Sequence, residues 1–156
     1  MLRFLWIMAT SAGWVLGRLL LPNLALVTTG LAIGILQWFV LQWRFKKAWQ
    51  WILATTAGYT LGAMLTNAAI LPGMDFLAGV LIGLTTGTAQ WLILRREVQW
   101  AGWWIAVNII AWTTGMAFLP GLFSTGALVG LITATTLALL LNARKQALPP
   151  QPNNSE

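Results

Sequence analysis

The chain lacks cysteine and histidine altogether, and it is poor in charge. Its 156 residues include three acidic and nine basic side chains, so charged residues make up 8% of the sequence. Without thiolates or imidazoles there are no disulfides, no cysteine or histidine nucleophiles, and none of the usual ligands for zinc or haem. The acids Asp75, Glu97 and Glu156 are far apart and offer no carboxylate pair for acid–base chemistry. We therefore expect no enzymatic activity, no metal and no evident cofactor.

What the chain has in abundance is apolar sequence. Hydrophobic residues make up 58% of the chain and charged residues only 8%, whereas a soluble domain carries about 25% charged residues. A fold of this length could not hide so much apolar surface from water, but lipid solvates it directly. Charges and prolines cut the sequence into six apolar spans, each near the ~20 residues that cross a bilayer. The spans are about 4–21, 23–43, 48–66, 75–94, 100–119 and 122–142.

A twelve-residue pattern recurs three times, each time in the first span of a pair. The copies are WIMATSAGWVLG at 6–17, WILATTAGYTLG at 51–62 and WIAVNIIAWTTG at 104–115. Each copy opens with Trp-Ile, carries an aromatic residue eight positions later and closes with glycine. Because residues 1–20 match the internal copies, we expect them to be the first helix of the fold and not a cleaved signal peptide. The repeating unit is predicted to be a helical hairpin.

The basic residues predict the topology. In a six-span arrangement eight of the nine lie on one side of the membrane: Arg3, Arg44, Lys46, Lys47, Arg95, Arg96, Arg144 and Lys145. The positive-inside rule then places both termini in the cytoplasm. The net charge of +6 is explained by these helix ends, so no nucleic-acid partner is expected. Seven tryptophans near the same ends predict an aromatic belt: Trp6, Trp43, Trp49, Trp51, Trp100, Trp103 and Trp104.

These patterns together predict an all-α polytopic membrane protein with one transmembrane domain over residues 1–145. Its three tandem hairpin repeats cover about 1–45, 46–96 and 97–145, and residues 146–156 form a polar, proline-rich tail that we expect to be disordered. The links are short, so consecutive helices should be antiparallel neighbours. Three repeats entering from the same side predict a six-helix bundle with approximate threefold symmetry about the membrane normal.

Small residues spaced four apart predict the packing faces of the helices. Residues at this spacing share a face, and glycine lets two helix backbones approach closely. We interpret the stripes as helix contacts and not as clearance for a ligand. The glycines are Gly13, Gly17, Gly30, Gly34, Gly58, Gly62, Gly79, Gly83, Gly87, Gly115, Gly126 and Gly130.

Three amides stand out among the polar side chains. Gln37 and Gln90 each close a GxxxGxxQW motif, ~8–9 Å inside the basic helix end at 1.5 Å per residue. An amide at that depth needs a hydrogen-bond partner or water, and we expect bonds to other helices for both and for Asn108. Thr133 replaces the glutamine in the third repeat, which would make any site asymmetric there. Each helix also has a pair of hydroxyls, predicted to bond the carbonyl one turn earlier.

Four further residues are candidates for contact with a ligand or with each other. Arg18 is the one cation on the far side of the topology, and Asp75 opens the fourth span on that same side. The helix dipole stabilises a cation near the end of a helix, as at Arg18, and an anion near its start, as at Asp75. We predict that the two side chains pair. Trp14 and Trp112 lie in mid-span, where the indole N–H needs a partner. They either pack in the bundle core, which we favour, or line a pocket for a flat apolar ligand.

The GxxxGxxQW motif carries a resemblance to a known group of proteins. Followed by basic residues and a Trp-Trp-Ile helix, it resembles uncharacterised tryptophan-rich multi-span proteins of cyanobacteria and related bacteria. The resemblance covers mainly residues 30–62 and 83–115. It implies an integral bacterial membrane protein, in the plasma or the thylakoid membrane, and it implies no activity.

Two functions follow as hypotheses. The first is a non-enzymatic structural or accessory subunit whose partners are membrane lipids, a pigment, a membrane protein complex or further copies of itself. The second is a small transporter or channel whose path is lined by Gln37, Gln90, Asn108, Arg18 and the threonine pairs. A chain rich in packing signals and poor in reactive groups favours the first, because proton-coupled transport usually needs an ionisable group at mid-membrane.

Overall fold

The fold is all-helical. The computed structural model describes residues 1–70, 73–119 and 121–146, with side chains to residue 143. Within these residues there are six α-helices and no strand, which confirms the predicted helical class. The helices are α1 (Leu2–Leu19), α2 (Ala25–Leu41), α3 (Gln50–Ala69), α4 (Asp75–Leu94), α5 (Trp103–Phe118) and α6 (Ser124–Gln146).

The helix ends follow the prolines and charges closely. The second helix begins later than the predicted residue 23, because Pro22–Leu24 form a separate 3₁₀ turn with the proline at its first position. Gly73 precedes α4 with a φ of +90°, a left-handed conformation that favours glycine. The proposed helix-ending prolines Pro72 and Pro120, and the predicted tail beyond Gln146, lie outside the described residues.

The six helices form a closed ring. Each helix contacts the helices before and after it in the chain, and α1 also contacts α6. The glycine contacts show that neighbours run antiparallel: along α1, Gly13 lies against Ile33 and Gly17 against Thr29 of α2. One end of the ring therefore carries Arg3 and the basic links α2–α3 and α4–α5, and we name it the basic end. The other is the distal end.

Glycine is required at the helix crossings. A Cβ added to Gly83 in α4 would lie 2.6 Å from the Asn108 carbonyl oxygen of α5, and one added to Gly79 would lie 2.5 Å from the Thr113 Cα. Distances under about 3 Å to backbone leave no room for a side chain. Each stripe faces the following helix in the ring, and the stripe of α6, Gly126 and Gly130, faces α1.

Three helical segments are long and apolar enough to cross a membrane: Pro22–Leu41, Asp75–Leu94 and Ser124–Ala143. Helix α5 is apolar but shorter, at 16 residues. The outer surface of the ring carries many exposed leucine, phenylalanine and methionine side chains, such as Phe4, Leu53 and Leu131. Such a surface is compatible with membrane insertion.

Candidate functional site

Three tryptophans meet on the ring axis near the basic end. Trp6, Trp51 and Trp104 come from α1, α3 and α5, and none of them has any exposed surface. Their ring centroids are 5.7, 5.9 and 6.2 Å apart with edge-to-face geometry, an arrangement that favours aromatic packing. We name these residues the inner aromatic layer. The prediction that they belong to an outward-facing aromatic belt is wrong, because all three side chains are buried in the core of the ring.

A polar layer lies directly beyond these tryptophans. Gln37 of α2 accepts a hydrogen bond from the Trp51 indole at 2.8 Å and donates to the Thr10 hydroxyl at 2.9 Å. It therefore ties α2 to both α1 and α3. All three side chains are buried. The structure thus gives Gln37 hydrogen bonds to two other helices, as predicted from its place within an apolar span.

The same arrangement recurs around Gln90 on helices α3, α4 and α5. Gln90 of α4 accepts from the Trp104 indole and donates to the Thr55 hydroxyl, both at 2.9 Å. Thr55 stands four residues after Trp51, as Thr10 stands four residues after Trp6. The two glutamines therefore use equivalent partners.

The third repeat keeps an amide but moves it to the neighbouring helix. Thr133 takes the glutamine position in α6 and accepts from the Trp6 indole at 3.0 Å. Asn108 takes the threonine position in α5, four residues after Trp104. Its amide donates to the Trp104 carbonyl of its own helix at 2.9 Å, so the expected bond from Asn108 to another helix is wrong. Every indole of the inner layer nevertheless has an acceptor.

A second aromatic layer closes the core toward the distal end. Trp14, Tyr59 and Trp112 are each at most 4% exposed, and their ring centroids are 5.5 to 6.3 Å apart. These are the aromatic residues eight positions into each sequence repeat. Within the described chain the Nε1 atoms of Trp14 and Trp112 have no hydrogen-bond partner. We name the three residues the outer aromatic layer.

Almost no space remains between the two aromatic layers. The cavity there has a volume of about 10 Å³, which is the size of one water molecule. Its polar lining includes Asn108, Gln90 and the hydroxyl of Thr86, which has no partner among the described residues. Most of the residues that the transport hypothesis assigns to a path are therefore already used in hydrogen bonds within the protein.

The distal end holds a larger pocket, with a volume of about 360 Å³. Trp14 and Arg18 of α1 line it together with Asp75 of α4 and Thr125 of α6. The Arg18 guanidinium lies over the Trp14 ring at 4.6 Å from its centroid, a cation–π contact. No ion pair joins the described side chains of Arg18 and Asp75, so the predicted pairing is not seen. The two residues instead share one pocket.

The paired hydroxyls mostly bond within their own helices. Thr10 donates to the Trp6 carbonyl and Ser11 to the Ile7 carbonyl, and Thr56, Thr85 and Thr114 repeat the pattern. Bonds of this kind satisfy a hydroxyl without offering it to a substrate. Thr28 also donates to the Gly17 carbonyl of α1, beside a close crossing of α1 and α2.

The basic end is filled by apolar side chains from the links. Phe45 and Val98 occupy corresponding places in the α2–α3 and α4–α5 links, and both pack with the inner aromatic layer. The tryptophans of these links point outward: Trp43 is 83% exposed and Trp100 is 65% exposed. Their exposure is compatible with the interfacial position predicted for them, which stays a prediction. Lys46, Lys47 and Arg96 lie around a surface pocket between the links.

Sequence reasoning missed the residues at the centre of the core, namely Trp6, Trp51, Trp104, Tyr59 and Thr133. The signal was present, because the first three open the repeated pattern and Tyr59 occupies its aromatic position. No group of three or more acidic, cysteine or histidine side chains that could hold a metal occurs in the described part of the chain. Comparison with protein-family profiles, curated protein sequences and solved structures finds no match for this chain.

Proposed function

We propose that this chain is a non-enzymatic integral membrane protein that serves as a structural or accessory subunit. All six helices would cross the membrane as three tandem hairpins around an approximate threefold axis. The proposed location is a bacterial plasma or thylakoid membrane with both termini in the cytoplasm. Its partners would be membrane lipids, a pigment or a membrane protein complex, and they would bind to the outer surface of the ring.

The observation that carries this proposal is the filled centre. Two layers of three aromatic rings lie across the axis, with a hydrogen-bonded polar layer between them and room for about one water. A solute would have to displace both layers and break the bonds of Gln37 and Gln90. We therefore assign the activity of the protein to its surface and not to a central path.

The proposed threefold arrangement has its own support in matching positions. The inner layer contains the first residue of each repeat copy, Trp6, Trp51 and Trp104. The residues four positions later, Thr10, Thr55 and Asn108, all line the small cavity. The residues eight positions later, Trp14, Tyr59 and Trp112, form the outer layer. A repeat that brings each equivalent position to one level of one axis is typical of parallel repeats.

A transporter or channel is the alternative, and the distal pocket is the observation that favours it. That pocket could admit a small solute as far as Trp14. Conduction would then require an alternative conformation in which the aromatic layers separate. The polar residues Gln37, Gln90 and Asn108 would line the opened path.

Flux in proteoliposomes tests the proposal. The purified chain should leave the leakage of ions, amino acids and sugars equal to that of protein-free vesicles. The variants Gln37→Leu and, as a control outside the buried core, Gln42→Leu should behave in the same way. Saturable flux that is lost in Gln37→Leu and kept in Gln42→Leu would overturn the proposal and favour the transporter.

Purification in a mild detergent tests the assignment to the surface. Lipid, pigment or a membrane protein should remain with the intact chain in a fixed ratio. A chain that elutes without any of these, and that conducts in vesicles, would contradict the structural role.

A further inference from the structure

The distal pocket combines a buried donor, a cation and an anion, and within the described residues the donor and the anion have no hydrogen-bond partner. The Trp14 indole N–H is buried, since the residue is 4% exposed, and it has no acceptor in the described chain. Arg18 contacts the face of the Trp14 ring and interacts with the Tyr59 hydroxyl, which leaves the other N–H groups of its five free to donate. Asp75 makes no ion pair or hydrogen bond with the described residues. An unpartnered buried donor beside a cation and an anion is costly unless a ligand or water engages it.

The other polar group of the pocket is already engaged. The Thr125 hydroxyl donates toward the carbonyls of Gly115 and Leu119, at 3.2 and 2.8 Å, and it accepts from the Gly121 N–H at 3.3 Å. It is thus saturated by the α5–α6 link. The free chemistry of the pocket consists of two donors on α1, Trp14 and Arg18, and one acceptor at the start of α4, Asp75.

This set of groups matches a zwitterion. An anionic oxygen group would accept hydrogen bonds from the Arg18 guanidinium and the Trp14 N–H, as charged acceptors do most strongly. An ammonium group a few ångströms away would donate to the Asp75 carboxylate. A purely anionic ligand would meet repulsion from Asp75, and a purely cationic one would meet repulsion from Arg18.

The surroundings of the pocket fit a lipid more closely than a free solute. The pocket lies at the helix ends, where a headgroup would lie if the ring spans a membrane. Exposed apolar side chains stand around the same end: Phe76 is 56% exposed, Phe118 is 75% exposed and Phe123 is 70% exposed. Acyl chains could lie along this surface while the headgroup enters the pocket.

We propose that the distal pocket binds the phosphoethanolamine headgroup of a zwitterionic phospholipid. Arg18 and the Trp14 N–H hold the phosphate, and Asp75 holds the ammonium. The proposal rests on the proposed function, because it requires the distal end to lie at the membrane surface. It adds the class of lipid and the residues that recognise it.

Native mass spectrometry of the full chain, released from nanodiscs of defined composition, tests the proposal. The wild-type protein should retain phosphatidylethanolamine about tenfold better than phosphatidylglycerol, which lacks the ammonium. Asp75→Asn should abolish this preference. Arg18→Gln should lower retention of both lipids about tenfold, because both offer a phosphate to the guanidinium.

Two further variants separate recognition from folding. Trp14→Phe keeps an aromatic ring under Arg18 but removes the indole N–H with the five-membered part of the ring, so retention of phosphatidylethanolamine should fall severalfold while the helical circular dichroism stays unchanged. Arg3→Gln removes an exposed cation of the same helix at the basic end and should leave retention unchanged. Equal retention by wild type and Arg18→Gln, or equal retention of the two lipids by wild type, would overturn the proposal.

Competition with soluble phosphoethanolamine identifies the source of the ligand. Displacement of the lipid at millimolar concentration assigns the pocket to the headgroup chemistry alone, and failure to displace it shows that the acyl chains also contribute. If the wild-type protein retains both lipids equally and shows no flux in vesicles, this inference is wrong and the proposed function is unaffected. Flux in vesicles would remove the proposed function whatever the lipid preference.

Discussion

At the scale of single residues, two different pairs of polar side chains surround the buried tryptophan N–H groups of the core, and each pair provides an acceptor for them. In the first two repeats a threonine on the odd-numbered helix meets a glutamine on the even-numbered one. In the third repeat the odd-numbered helix has Asn108 and the even-numbered one has Thr133. The amide has moved across the helix contact, and the tryptophan N–H is satisfied in each case.

This exchange predicts how the first repeat responds to mutation. Gln37→Leu removes the acceptor of the Trp51 indole and the donor to Thr10, so it should lower the free energy of unfolding by about 1–3 kcal/mol. Gln42→Leu makes the same replacement near the basic end, where Gln42 bonds only the nearby Phe39 carbonyl, and should have little effect. Unfolding in mixed micelles, followed by circular dichroism, measures both. Equal effects would show that the buried network contributes nothing.

The asparagine–threonine pair of α5 and α6 can be introduced at the equivalent positions of α1 and α2. Thr10→Asn together with Gln37→Thr gives the first repeat the residues of the third. Each single change removes one side of the hydrogen bond between residues 10 and 37. With both changes, Trp51 keeps an acceptor at position 37, and the residue at position 10 keeps a bond to the Trp6 carbonyl. We expect the double variant to be more stable than the sum of the single changes by about 0.5–2 kcal/mol, measured in a double-mutant cycle. Simple additivity would contradict the equivalence of the two pairs.

At the scale of helices, the same kind of contact recurs at every step around the ring: glycines of one helix face the next helix. Every helix places its glycines against the helix that follows it, and α6 does so against α1; the contacts are with backbone except at Gly115 of α5, which mainly meets the Val129 and Thr125 side chains. Backbone approach of this kind gains van der Waals contact in lipid, where the hydrophobic effect between helices is weak. The odd-numbered helices add the aromatic layers, and helices of both sets contribute exposed apolar side chains to the outer surface.

A pair of glycine substitutions tests these crossings. Gly83→Ala places a Cβ 2.6 Å from the backbone of α5 and should destabilise the protein by about 1–3 kcal/mol, because the helices must move apart. Gly102→Ala is the control, since nothing lies within 4 Å of its added Cβ. It should leave the unfolding free energy unchanged or slightly raised. The same unfolding assay compares the two, and an equal response would mean that the α4–α5 crossing tolerates separation.

At the scale of the whole molecule, the basic links and the distal pocket lie at opposite ends of the ring. If the chain crosses the membrane six times, the links α2–α3 and α4–α5 lie on the cytoplasmic side. The α1–α2 link lies on the other side. The absence of native cysteine makes this arrangement directly measurable.

Single-cysteine labelling should divide the links into two groups. Gln99→Cys in the α4–α5 link should react with an impermeant maleimide only when the cytoplasmic face is accessible. Asn23→Cys in the 3₁₀ turn should react from the opposite face. The unmodified chain, which has no thiol, is the blank. Reaction of both variants from one face would rule out the six-span topology.

The sequence was sufficient to predict the six helices and their approximate ends, because charges, prolines and apolar length are local properties. It also indicated which residues needed a partner, as with Gln37. It did not identify the partners. In sequence, the buried tryptophans cannot be told from exposed ones, because both kinds lie near helix ends beside basic residues. What separates Trp6, Trp51 and Trp104 from the others is that they lie on the inward face of their helices. Asn108 likewise had a partner within its own helix that spacing alone did not select.

The contact between α6 and α1 has a consequence for biosynthesis. In a chain made from its N-terminus, α1 is present before α6, so the face of α1 around Ile7 and Ser11 has no neighbour until α6 follows. Until then the Trp6 indole has no acceptor from Thr133. The ring would close only when α6 joins α1, and a nascent protein halted before α6 would expose an unpaired indole that chaperones or a second chain could recognise.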